Sequence, residues 1–287
     1  MRGCSKTRGS LEEASLNMFG VAASRSDRHL LVLDKSFLQG VSTVELQHYV
    51  QDGWVFAIPD VLWHEHFRKW DEWRLANLIK LKSIEPTLVL LPGLGEMLRA
   101  ESEKLKPASQ ILAGKRIKLN EKLVPGLKFF ELDENTKQTA AGRTAELEER
   151  LDVMIDVWRD FKAIPDLQNA RTEELPEKIL GLKLQIRDDR TDIRGFYANH
   201  RDSIHPPPEM IDEEWTFYRL IQVYLLAGLD FFASYGLKNE VRRETAMNEL
   251  LDLDYLIFAL LVGGLACRET RFVERFRFLR PDGIVLR

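Results

Sequence analysis

Four carboxylates in this chain stand where an acid can do chemistry. Asp34 ends the apolar run His29-Leu-Leu-Val-Leu-Asp34, and Glu269 lies just past the short run Leu265-Ala-Cys267. Glu65 falls early in a helical stretch after Pro59, and Asp252 in the stretch before Gly263-Gly264. Open parallel sheets bind ligands beyond the carboxyl ends of their strands, so acids at those ends and on adjoining helices can meet. Carboxylates gathered at one sheet edge repel unless a cation joins them, and an oxygen-only donor set suits Mg²⁺ or Mn²⁺. Such a cation lowers the pKa of bound water and stabilises charge on a phosphate oxygen. Asn248 and Asp252 share a helix face, with Tyr255 one step further along it, whereas Asp254 is turned about 200° from Asp252.

Each of these residues also has an ordinary reading. Asp34 can be a capping acid, Glu65 a solvated helix residue, and one of Asp252 and Asp254 a surface charge. Ser36 is expected to cap the helix that follows it, with contact to a phosphate or a bound water as its functional alternative. His64 and His66 flank Glu65, but residues two apart on a helix do not face one another, so they make a poor metal pair. Cys267 reads as a small buried strand residue. Lys35, Arg68, Lys69, Arg242, Arg243, Arg268 and Arg271 lie near the acids in sequence and can hold a phosphate backbone, as nucleic-acid binding requires. Trp54, Trp63, Trp70 and Trp73 read as core rather than as base-stacking platforms.

The elements needed to position these groups are legible in the apolar patterning. His29–Asp34, Trp54–Ile58 and Thr87–Leu91 are short apolar runs that read as buried strands. Helices are expected from Lys35 to Val50 and, capped by Asp60, from Val61 to about Lys82. The middle is helical in texture. Residues 144–162 repeat Leu147, Leu151, Met154, Ile155, Trp158 and Phe161 at three and four, and 211–236 form an aromatic-rich helix. After the break at Pro206-Pro207-Pro208 and that helix, α/β texture returns: a helix over 242–262, a strand at 265–267, a helix over 270–279 and a last strand at 284–286. This pattern gives an α/β fold with a central, mostly parallel sheet, interrupted by a long α-helical insertion.

The order of these elements resembles the PIN-like nuclease superfamily. Leu31-Val-Leu-Asp34-Lys-Ser36-Phe is similar to that family's first strand, acid and small hydroxyl residue. Ile58-Pro-Asp-Val-Leu-Trp-His-Glu65 is similar to its second strand and inward Glu. Asn248-Glu-Leu-Leu-Asp252-Leu-Asp-Tyr255-Leu and Leu265-Ala-Cys-Arg-Glu269-Thr-Arg-Phe272 are similar to its two C-terminal acid motifs. Position relative to Glu269 selects Asp252 over Asp254 as the third acid. Glu269 stands where the family usually carries Asp, and Cys267 where it carries a hydroxyl, which puts a second metal position in question. The resemblance implies a three-layer α/β/α sandwich built from 29–94 and 245–287, with 95–244 as the insertion and 1–28 as a flexible tail. It further implies a metal-dependent endoribonuclease acting on single-stranded RNA, or alternatively single-stranded DNA. Asp34, Glu65, Asp252 and Glu269 are then the catalytic metal ligands, with support from Ser36, Asn248 and Asp254. An antitoxin or other protein partner and a homodimer fit the same resemblance. The alternative is a catalytically silent PIN-like module that binds RNA or protein. A competing signature, Arg194-Gly-Phe-Tyr-Ala-Asn-His200, has the Arg-to-His spacing of metal-independent HEPN-class RNases, but Gly195 and the nearby prolines give it a loop-like reading.

Composition sets the bounds. The 287 residues carry 45 acids against 41 bases, a net charge of −4, which argues against a surface uniformly coated in positive charge but leaves room for a local basic groove. The greasiest stretches, 223–229 and 256–267, are too short to cross a membrane, and MRGCSKTRGS leads into no apolar signal segment. With two cysteines, Cys4 and Cys267, the expected setting is a reducing cytoplasm.

Overall fold

The computed structural model describes residues 29–68, 71–112, 114–160, 164–200, 206–235 and 242–287; the expected tail 1–28, Cys4, Lys69 and Trp70 lie outside them. The chain begins β1 (Leu30–Leu33), α1 (Lys35–Gly40), α2 (Thr43–Gln51), β2 (Val55–Ile58), α3 (Asp60–Phe67), α4 (Glu72–Ser83) and β3 (Leu88–Leu90). A mainly helical stretch follows: α5 (Leu94–Lys104), α6 (Ala108–Ile111), β4 (Lys115–Arg116), α7 (Glu134–Asp160), α8 (Pro165–Gln168), α9 (Leu175–Asp188), α10 (Arg190–His200) and α11 (Thr216–Tyr235). The chain closes with α12 (Arg243–Val262), β5 (Gly264–Ala266), α13 (Thr270–Leu279) and β6 (Ile284–Leu286).

The fold is α/β, with one six-stranded sheet in the order β4-β3-β2-β1-β5-β6. All neighbours pair in parallel except the edge strand β4, which runs antiparallel to β3. The inner strands are short and apolar on both faces because helices cover both faces of a parallel sheet. Leu31, Val32, Leu33, Phe56, Ala57, Ile58, Leu265 and Ala266 are all fully buried. From β1 the chain builds outward through β2 and β3, whereas β5 and β6 lie on the other side of β1. The strand order therefore reverses between β1 and β5, and the carboxyl ends of those two strands border the crevice where such sheets bind ligands.

Glycine shapes the second of these strands. Gly263 ends α12 at φ +85°, a left-handed conformation that glycine adopts without strain. A Cβ on Gly264 would sit 2.5 Å from the carbonyl oxygen of Leu30, so close pairing of β5 to β1 requires glycine there.

Several local expectations are corrected by the structure. The stretch 35–50 is two helices, because Ser42 caps α2 in a capping box with Glu45. The expected helix 61–82 is also two. Asp71 accepts the Arg74 backbone N–H and starts α4 afresh. Asp60 does not cap α3: Pro59 holds that position, and the Asp60 carboxylate pairs with Arg143 at 3.0 Å. Residues 190–200 form a helix despite Gly195, because Ile193 and Tyr197, four apart, both bury on one face. Strand β4 carries no apolar pattern, being Lys115–Arg116, and sequence reading misses it.

The helical stretch is not set apart by a core of its own. Leu147, Leu151, Trp158, Tyr218 and Leu229 belong to the same buried cluster as Leu31, Phe56 and Leu265. Helix α12 is its centre, packed against α11, α7, α13 and β1. Glu101 of α5 adds a polar link. Its Oε1 accepts the backbone N–H groups of Ala108 at 2.8 Å and Thr216 at 2.6 Å, tying α5 to the first turns of α6 and α11. Burial outweighs these donors and pushes the Glu101 carboxyl up from 4.5 to about 7. The folded state then holds a proton that the unfolded chain has released, so stability falls as pH rises through that window. Relative to Glu101→Gln, wild type is expected to lose about 3 kcal/mol between pH 4.5 and 7 in denaturant titrations. A difference that is flat with pH would show that these amide donors hold the carboxylate ionised.

Candidate active site

Asp34 follows β1 directly and is the N-cap of α1, its Oδ2 accepting the Ser36 backbone N–H at 2.9 Å. Ser36 therefore does not cap the helix itself. Its hydroxyl donates a short hydrogen bond to the same Asp34 oxygen and accepts the Arg268 backbone N–H at 3.1 Å, bridging the ends of β1 and β5. The Ser36 hydroxyl also lies 3.4 Å from the Cys267 thiol, and that sulfur accepts the Glu269 backbone N–H at 3.3 Å. Cys267 is thus a fully buried piece of the turn that presents Glu269, whose side chain is exposed. Burial pushes the Asp34 carboxyl up, partly offset by its bonds to Ser36 and Cys267.

Glu65 is no solvated helix residue. It is 7% exposed, and both its oxygens are engaged. Lys35 Nζ donates to Oε1 at 2.8 Å, and the Tyr255 hydroxyl donates to Oε2 at 2.7 Å. Lys35 comes from the first turn of α1, Glu65 from α3 and Tyr255 from α12, so this contact clasps three elements at the sheet's end.

Asp252 and Asp254 have opposite fates, as their 200° separation on α12 requires. Asp254 is fully buried and belongs to a different network. Arg150 of α7 donates to its two oxygens at 2.9 and 2.6 Å, and Arg143 lies 3.5 Å away. Asp252 faces the other acids and, among the described residues, has no hydrogen-bond or ion-pair partner. Burial, and then the negative charges of Glu249, Glu269, Asp34 and Glu65, push its carboxyl from 3.8 to about 8. Glu249 was missed by sequence reading, although its place one turn before Asp252 on the same face was there to be seen; Arg275 of α13 pairs with it.

The remaining candidates fall outside this cluster. Asn248 is exposed, and among the described residues no hydrogen bond joins it to the acids. His64 and His66 are buried, and burial lowers both to about 4, which leaves them neutral. Arg243 spans Glu148 and Asp152 on α7, and Arg194 donates to the carbonyls of Ile211 and Glu209. Arg268 donates to the Gly40 carbonyl at 2.6 Å beside the Phe37 ring. Trp63 stacks on Phe67 with centroids 5.4 Å apart, and Trp54 pairs with His29 at 5.0 Å, both as packing contacts.

The donor chemistry suits a hard divalent cation: the acids grouped here are carboxylates, and Asp252 has no ion-pair partner among the described residues. Among the described residues, however, no three His, Cys, Asp or Glu side chains already converge as a ligand cage. Among the described residues, no helix is long and apolar enough to cross a membrane. Set against known proteins, the chain matches no family model, no curated protein and no solved structure.

Proposed function

We propose that this chain is a metal-dependent nuclease of PIN-like, three-layer organisation, hydrolysing phosphodiester bonds of single-stranded RNA in a reducing cytoplasm. The observation that supports this reading is Asp252, an uncompensated carboxylate grouped with Asp34, Glu65 and Glu269 where the sheet order reverses. Mg²⁺ or Mn²⁺ held there would supply an activated nucleophile and stabilise charge on the phosphate. The chain's own residues do the positioning. Ser36 fixes Asp34, Tyr255 and Lys35 fix Glu65, and the Cys267 turn holds Glu269 at the mouth. Arg268 and Arg271, exposed beside that turn, are placed to hold the substrate backbone.

The test is cleavage of single-stranded RNA and DNA by purified protein with Mn²⁺, with and without EDTA, alongside Asp34→Asn. RNA cleavage abolished by EDTA and by Asp34→Asn is expected. The two engaged oxygens of Glu65 favour a second reading, a silent RNA- or protein-binding module. That reading is selected if both nucleic acids stay intact and Mn²⁺ leaves the melting temperature of wild type unchanged.

A further inference from the structure

We propose that residues 115–130 form a binding surface for single-stranded nucleic acid, on which five cations hold phosphates and Phe129 stacks on a base. Lys115, Arg116, Lys118, Lys122 and Lys128 stand in this segment against one acid, Glu121, a local net charge of +4 in a chain whose total is −4. All five basic side chains are exposed. Of the five, only Lys118 has an ion-pair partner among the described residues. That partner is Glu121 at 3.9 Å, and with both side chains 85% exposed the pair is too solvated to hold Lys118 back from another anion. Lys35 and Arg243, nearer the carboxylates, are instead committed to acids of the fold. Phe129 is 73% exposed, whereas its neighbour Phe130 packs against the core. Cations along a segment with an exposed ring at its end are the combination that binds single strands, because charge holds the backbone and a ring stacks on any base.

The segment is anchored so that these groups face water. Gly114 leads into β4 so close to β3 that a Cβ there would collide with the Val89 side chain. Leu119 and Leu123 are buried. Lys82 Nζ donates to the Leu119 carbonyl at 3.0 Å, and Glu85 accepts the Leu119 backbone N–H. Charge on an edge strand also guards a sheet against pairing with another, but β4 is only Lys115–Arg116, and the cations run on to Lys128. A membrane-surface element would be an amphipathic helix, and 117–133 contains no helix. Lys115 pairs with Leu90, the last residue of β3, so the segment starts at the carboxyl edge of the sheet. Asp34 follows β1 at that same edge, three strand spacings or about 14–15 Å away. That a bound strand leads to the carboxylates rests on the nuclease reading above, whereas the binding itself does not.

The probes are fluorescein-labelled oligouridylate and oligothymidylate, titrated with the full chain in EDTA so that no strand is cut. Binding is read by fluorescence anisotropy from about 50 to 200 mM salt. Wild type is expected to bind with a slope of log affinity against log salt of about −3, the value for four or five neutralised phosphates on a single strand. Lys115→Gln, Arg116→Gln, Lys118→Gln and Lys122→Gln combined should make that slope shallower by about 2–3. Lys122→Gln with Lys128→Gln, which leaves β4 untouched, should remove about half as much. Phe129→Ala should weaken binding about 5–150-fold and keep the slope. Melting temperatures like that of wild type would confirm that the variants fold. Charge variants that bind as wild type does, or no binding by wild type, overturn the proposal, as does binding to phosphatidylserine vesicles but to neither oligonucleotide. A strand that binds through this segment yet stays intact with Mn²⁺ upholds the surface and counts against the nuclease reading.

Discussion

Asp252→Asn is expected to reduce metal-dependent cleavage by about 10²–10³-fold, the scale on which removing one group that stabilises transition-state charge is felt. The same substitution is expected to make the cation-free protein more stable. Asp252 sits partly buried among Asp34, Glu65, Glu249 and Glu269 with no hydrogen-bond or ion-pair partner among the described residues, and burial first, then that company, lifts its carboxyl to about 8. Asparagine keeps the shape and removes the cost of burying, or of protonating, a carboxyl there. Each kcal/mol relieved moves the melting midpoint of a chain this size upward by about 2–4 °C. Mn²⁺ should reverse the ranking, because it binds and stabilises wild type and has lost a ligand in the variant. Thermal melts of both proteins with and without Mn²⁺ test this. A variant less stable than wild type without metal would show that Asp252 is a structural acid, and its lost activity would then carry no functional meaning.

Asp254→Ala, two residues away, is expected to do the opposite and cost about 3–5 kcal/mol of stability, the usual consequence of breaking a buried ion pair from one side. Asp254 is fully buried under Arg150, which donates to both its oxygens and also to Tyr224 at 2.6 Å. Arg143 extends the network to Asp60 at 3.0 Å. Removing the central carboxylate leaves the Arg150 guanidinium, on a side chain 23% exposed, without its carboxylate between α7 and α12, while Arg143 keeps its pair with Asp60. The same loss is expected to lower the melting midpoint by about 6–20 °C. Replacing the pair together, as Asp254→Leu with Arg150→Met, should recover much of it, since apolar side chains of similar volume often match or exceed a buried ion pair. Urea titrations of the single and double variants measure both effects. A single-variant loss under about 1 kcal/mol would mean that water reaches the pair and screens it.

These two neighbours also mark how far sequence reading reaches. That Asp252 and Asp254 must face different ways follows from helical geometry alone. What lies in each direction does not, because Arg150 is 104 residues from Asp254 along the chain. Asp34 was legible both as a strand-end acid and as a cap, and it is both at once. Ser36 and Asp60 were misjudged as caps because any short polar residue near a helix start fits that pattern, and the neighbour that wins is settled by backbone geometry. The segment 190–200 was misread because an internal glycine and nearby prolines weigh heavily in a local reading, while burial of Ile193 and Tyr197 weighs more in the fold.

By itself, the sequence determined the α/β class, five of the six strands, the helical middle and the placement of acids after β1 and β5. All of these are short-range consequences of apolar runs, helical periodicity and glycine or proline stops. Only the tertiary structure decided that Lys35 and Tyr255, 30 and 190 residues from Glu65, close on its two oxygens and that Asp252 is left uncompensated. It also decided that the helical stretch shares one core with the sheet. The reason is physical: a helix or strand is specified by residues a few positions apart, whereas a charge's partner is set by how whole elements cross and pack.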